Sequence, residues 1–198
     1  PDLTEKYPNA RINLMHDYDF NYSRNGIIDS NKKSIGEYDS FNELNGGYIT
    51  GTPQKGTIGF GAESNGVYKY SEVLGYTFTS FLRVEEATTI KYSLRIDSKE
   101  GRYFAADINA HEANTVGAYI PEMSVNDNSE AVTLSTERYA TKGWHQYFVV
   151  EVATLELQAG INKVSFTVKG IKDSDLQNCK LNIRGVLIES YIPVRLGA

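Results

Sequence analysis

The sequence predicts an all-β domain, an antiparallel sandwich, on three observations. Thr88 to Asp97 alternates strictly, with Ile90, Tyr92, Leu94 and Ile96 on one side and Lys91, Ser93, Arg95 and Asp97 on the other. Lys163 to Lys169 repeats that two-residue period with Val164, Phe166 and Val168. Short β-branched and aromatic runs recur at close spacing, and no window sustains an apolar helical period. The seven apolar residues just named are therefore expected in one core.

From the N-terminus, residues 1–35 are expected as an arm, linker or edge strands, and residues 36–198 as a single sandwich domain. Ala10 to Phe20 mixes Ile12, Leu14, Met15, Tyr18 and Phe20 with polar residues, enough for one or two strands, and Asn25-Gly26 is a turn signal. Asp39 to Gly47 suits one helical turn, with Asp39 or Ser40 as cap and Gly46 as stop. Tyr48 to Phe60 reads as short strands broken at Gly51, Pro53, Gly56 and Gly59, followed by a short strand at Val67 to Tyr70. Gly75 to Val84 is a firm strand, and after Lys99-Glu100-Gly101 another is expected over Arg102 to Asn109. Val116 to Ile120 and Ala131 to Ser135 are strands joined through Asn126 to Glu130. Phe148 to Val152 has strand length and composition, and Thr154 to Gln158 alternates. Leu181 to Ile188 is apolar on both parities, which suits a strand covered on both sides.

The chain has 198 residues, enough for one large all-β domain, and with 40% hydrophobic residues it builds a core. A formal charge of −5, with no basic block longer than Lys32-Lys33, points away from nucleic acid and anionic membranes. No apolar run approaches the ~18 residues of a membrane helix, so no membrane insertion is expected. Cys179 is the single cysteine, which leaves no intrachain disulfide. The start at Pro1 reads as a piece cut from a longer protein.

Catalytic signatures are missing: there is no Gly-x-Ser-x-Gly elbow, phosphate loop or dinucleotide fingerprint. His16, His111 and His145 lie far apart, without the spacing zinc uses. The His16-Asp17 and His111-Glu112 doublets point to opposite faces if they lie on strands, so neither makes an acid–base pair. Asn126 to Glu130 and Asp173-Ser174-Asp175 bunch oxygen ligands of the kind calcium takes, yet neither matches an EF-hand loop. No catalytic residue is assigned.

The order Gly143-Trp144, an aromatic strand, Leu155-x-Leu157, Ala159-Gly160-x-Asn162, a Val/Phe/Val strand, then Leu181-Asn182-Ile183-x-Gly185-Val186 resembles the C-terminal half of known carbohydrate-binding modules. These are the galactose-binding-like jelly rolls of families 6 and 35. Val84 to Ser98 resembles their middle strand pair, so the likeness spans roughly residues 76–190. The resemblance implies a non-catalytic module that binds polysaccharide or oligosaccharide and anchors an attached enzyme or surface protein, secreted or at the cell surface. It implies substrate-binding roles for Trp144 in the turn and Asn182 opening the last strand. Tyr147 is the matching second aromatic, which either meets ligand or packs inward. No cofactor is expected. Those families hold a structural calcium with a last-strand aspartate, and Arg184 stands at that position here, so their site is expected to be unfilled. A calcium held by another acidic loop stays open. The alternative reading is a structural or adhesive sandwich that binds protein or spaces domains; a jelly-roll enzyme is a third.

Overall fold

The computed structural model describes residues 14–19, 47–51, 60–62, 68–72, 74–143, 146–171 and 181–196. In chain order the strands are β1 (Leu14–Asp19), β2 (Gly47–Gly51), β3 (Phe60–Ala62), β4 (Tyr68–Glu72), β5 (Tyr76–Val84), β6 (Thr88–Asp97) and β7 (Tyr103–Phe104). They continue as β8 (Gly117–Val125), β9 (Val132–Leu134), β10 (Tyr139–Ala140), β11 (Phe148–Leu157), β12 (Gly160–Gly170), β13 (Asn182–Ser190) and β14 (Arg195–Leu196). Sheet 1 runs β3-β4-β13-β6-β11-β9 with β1 also on β13; sheet 2 runs β10-β7-β8-β12-β5-β14 with β2 also on β5. Pairing is antiparallel except between β7 and β8. This is the expected antiparallel β-sandwich of jelly-roll type. The helical turn expected at Asp39 to Gly47 falls mostly outside the described residues.

The core follows the two alternating runs. Ile90, Tyr92, Leu94 and Ile96 from sheet 1 and Val164, Phe166 and Val168 from sheet 2 are all buried. Phe166 stacks on Phe78 of the neighbouring strand at 5.1 Å, and Tyr92 reaches across from sheet 1 to meet it edge-on at 5.9 Å. Each such ring taken fully from water contributes about 1.5–3 kcal/mol.

β11 accounts for the two runs read separately in the sequence. Its pairing with β6 shifts register between Glu151 and Ala153, so Val150 and Val152 face inward before the bulge and Ala153, Leu155 and Leu157 after it. β13 carries a similar shift between Ile183 and Gly185. Leu187 is also buried, beside the buried Ser93 opposite it, so this strand is covered on both faces.

One expected strand is much shorter. Instead of running from Arg102 to Asn109, β7 ends at Phe104, and a 3-10 helix follows at Ile108–Ala110. The Asp107 side chain accepts the Asn109 amide at 2.9 Å, a local bond that offers the backbone an alternative to the ladder.

Candidate functional site

Among the described residues, two regions bear on a candidate site. The first is the end of sheet 1 where β6 finishes and β11 and β13 begin. Phe148, Ile96 and Ile183 share one row, and Asp97 pairs with Asn182 in the next. Asp97 and Ser98 are fully buried there. The segment leading into β11 is tied down by Thr141, whose hydroxyl donates to the Lys99 and Arg102 carbonyls and accepts the Arg102 amide. Gly143 follows with φ +127, a conformation other residues rarely adopt, and its carbonyl accepts the Gln146 amide at 3.3 Å. Trp144 lies outside the described residues, as does His145 and the side chain of Asn182. Tyr147 is half-buried with its hydroxyl buried, so the tip of this ring points into the protein. The backbone register thus brings Tyr147, just before β11, and Asn182, at the start of β13, to the same end of sheet 1.

The second region was not foreseen. A groove of about 560 Å³ opens over the outer face of sheet 2. Thr77, Ser165, Thr167, Glu122 and Ser124 line its floor, while Val132 and Leu134 of β9 form a wall. These floor residues alternate along β5, β8 and β12 with buried ones such as Phe78, Met123 and Phe166. Thr77 and Thr167 join hydroxyl to hydroxyl at 2.8 Å, and Thr79 and Ser165 at 3.0 Å. Cross-strand pairs of this kind orient the groups they join. Pro121 lies at the rim, where β8 and β12 lose register. Of the two carboxylates, Asp127 is paired with Lys163 at 2.9 Å. No ion pair involves Glu122 among the described residues. Chemically, the floor offers several hydroxyls and one uncompensated acceptor to a ligand rich in hydroxyl groups.

The acidic loop does not fit a calcium cage. Asn126 and Asp127 adopt φ of 52 and 63, and Val125 and Asn128 bond to each other's backbone, forming a tight turn of the type in which Asn and Asp tolerate positive φ. Asn126 Oδ1 accepts the Lys163 amide, Asn128 Oδ1 accepts the Glu130 amide, and Asp127 faces Lys163. Asp173 to Asp175 lie outside the described residues. His111 and Glu112 also diverge: His111 Nε2 donates to the Ala118 carbonyl at 3.0 Å, while Glu112 pairs with Arg138 at 2.8 Å.

No family model matches the chain, and no curated protein does. Solved structures similar to it include a family 35 carbohydrate-binding module from an environmental isolate. That match has 15% identity and a TM-score of 0.43 over 93% of this chain and 98% of that one. The C-terminal family 6 module of LamC, a laminarinase from Zobellia galactanivorans, shows 13% identity and a TM-score of 0.38 over 67% and 87%. A ruminal GH26 endo-β-1,4-mannanase shows 16% identity and a TM-score of 0.33, with 70% of this chain covered. The chain spans only 21% of that mannanase. These structures thus include modules of both families that the sequence resembles.

The groove escaped sequence reasoning because its floor comes from positions near 77, 122 and 166, brought together only by strand register. Its one local trace is the run of small hydroxyl residues at Thr77, Thr79, Ser165 and Thr167, opposite the core positions.

Proposed function

We propose that this chain is a non-catalytic carbohydrate-binding module for a polysaccharide or oligosaccharide. The hydroxyl-lined groove on sheet 2 carries the reading. It is open enough for a chain ligand, and its paired Thr and Ser groups match the donors and acceptors around a pyranose ring. Trp144, Tyr147 and Asn182 would be a second contact region, with Trp144 supplying the apolar face for a sugar ring and Tyr147 contributing only the part of its ring left exposed. The module would hold an attached enzyme or surface protein against its polysaccharide, secreted or at the cell surface, raising local concentration. Calorimetric titration with oligosaccharides chosen from a glycan array is the test. Binding in the micromolar-to-millimolar range is expected, and silence across the array contradicts the proposal.

A further inference from the structure

Two cavities flank the short segment that follows β8. Asp127 and Ser129 line the groove on sheet 2, while Asn128 and Ala131 line a second, open cavity of about 410 Å³ at the end of β11. Neighbouring residues of one segment thus serve different cavities, so little more than its own width separates them. Each cavity has one carboxylate that no ion pair engages among the described residues, Glu122 in the first and Glu156 in the second. Glu130 stands exposed on the segment between, and it too lies outside any ion pair there. No Lys or Arg lines either cavity. Lys163 is engaged by Asp127 at 2.9 Å, and Lys169, two residues past Thr167 on β12, pairs with neither glutamate. Register sets what lies beside each acid. Thr77, Thr167 and Glu122 form one row across β5, β12 and β8, with neighbouring strands about 5 Å apart. In the second cavity Glu156 stands opposite Thr89, and Thr88 and Gln158 share the lining. Both cavities therefore present an unpaired carboxylate beside hydroxyl groups.

Resting on the carbohydrate-binding reading, we propose that the two cavities together take one cationic glycan, a polymer of amino sugars with free amines. Glu122 and Glu156 each hold the ammonium of a different sugar residue, and the Thr and Ser hydroxyls beside them meet the ring hydroxyls. A carboxylate accepts from an ammonium in charge-assisted bonds, which are the stronger kind. Acetylating the amine removes the charge, as it does on lysine, so the acetylated form of the same polymer loses both contacts. A repeating cation suits two acids set on either side of one segment, and engaging both adds avidity that a short ligand lacks. The hydroxyl rows suit a sugar polymer rather than a basic peptide, because ring hydroxyls both donate and accept.

The test titrates the full chain by calorimetry, at low salt and in buffer that keeps the amines charged. The ligands are the glucosamine dimer and hexamer, their N-acetylated forms, poly-lysine, and neutral oligosaccharides from the glycan array. The free-amine hexamer is expected to bind about tenfold more tightly than its acetylated form and than the dimer, with the gap to the acetylated form closing as salt screens it. Glu122→Gln and Glu156→Gln are each expected to weaken the hexamer about threefold, the scale of exposed ion pairs, and the double variant about tenfold, which erases the preference. Glu137→Gln, an exposed carboxylate outside both cavities, is expected to change nothing, and all variants should melt like wild type. Equal affinity for the two hexamers overturns the proposal, as does a preference that survives the double variant or a loss confined to one single variant. An equal loss in Glu137→Gln, or poly-lysine bound as tightly as the hexamer, overturns it too, since the attraction is then general or the partner a basic peptide. In each of these cases an acetylated or neutral oligosaccharide that binds leaves the carbohydrate-binding reading standing. If no saccharide binds, both fall.

Discussion

Tyr92 joins the two sheets at the scale of a single residue. Its ring is wholly buried against Phe166, and its hydroxyl lies beside Ser80 of the opposite sheet. Burial pushes the phenol well above its ordinary range, with Ser80 pulling slightly the other way. The folded chain therefore keeps this proton where the unfolded chain, ionising near pH ~10, loses it. Because the folded pKa is raised, the stability linked to it is whole below pH ~10 and drains away as pH rises beyond. In an ultraviolet alkaline titration, one of the 14 tyrosines is expected to ionise only together with loss of near-ultraviolet circular dichroism. Ionisation of every tyrosine while that dichroism stays native would disprove a sealed Tyr92.

Turns between elements depend on Asn162. It sits near the start of β12 and is fully buried, a place where a polar side chain survives only if bonded. Its Oδ1 accepts the Gln158 amide at 2.9 Å and Asn126 Nδ2 at 3.1 Å, and its Nδ2 donates to the Gln158 carbonyl at 2.7 Å. One amide thus closes the β11–β12 turn and docks the Asn126-Asp127 turn beside it. Asn162→Ala strands several of these groups and is expected to cost about 2–3 kcal/mol. At roughly 2–4 °C per kcal/mol for a chain of this size, the melting temperature falls by about 4–12 °C. Lys163→Gln, which breaks only the exposed pair with Asp127, is expected to leave it nearly unchanged. Matching melting curves for the two variants would refute this role.

The same element scale separates what the residues announced from what they did not. β6 and β12 were legible because one face meets the core along their whole length, so burial writes itself as a two-residue period. β11 reads as two runs because its bulge changes which parity faces inward. β7 ran too long in the reading because Ile108 looks like a strand residue, while the bond that ends the ladder comes from Asp107. The Ala159-Gly160-x-Asn162 signature was visible only as a likeness, and the structure supplies its reason. Gly160 takes φ +97 and Asn162 bonds back across the turn. The groove was illegible, since no single stretch of sequence contains more than two of its five floor residues.

At the scale of the whole molecule, the described strands form two sheets that share one core. Arg184 replaces the last-strand aspartate of the resembled families, and the Asn126 to Glu130 loop spends its oxygens on its own backbone and on Lys163. Excess chelator is therefore expected to leave the melting temperature unchanged, since removing a tightly held ligand of the folded state would lower it. A large drop that calcium restores would place a metal in some other acidic loop.

The central claim, that this sandwich binds glycan, is tested most directly by calorimetric titration of one array-selected oligosaccharide into wild type and two single variants. Ser165→Ile removes a hydroxyl from the middle of the groove floor and fills space with a side chain that strands accept. Trp144→Ala removes the proposed sugar platform at the other region. Wild type is expected to bind with roughly 4–8 kcal/mol, the micromolar-to-millimolar range. Ser165→Ile is expected to weaken binding about tenfold, a loss of about 1.4 kcal/mol. Trp144→Ala is expected to weaken it tenfold to a hundredfold, on the scale of about 1.5–3 kcal/mol for a buried aromatic side chain. Both variants should melt within a few degrees of wild type. Wild type that binds no oligosaccharide, or two folded variants that bind as tightly as wild type, would contradict the claim.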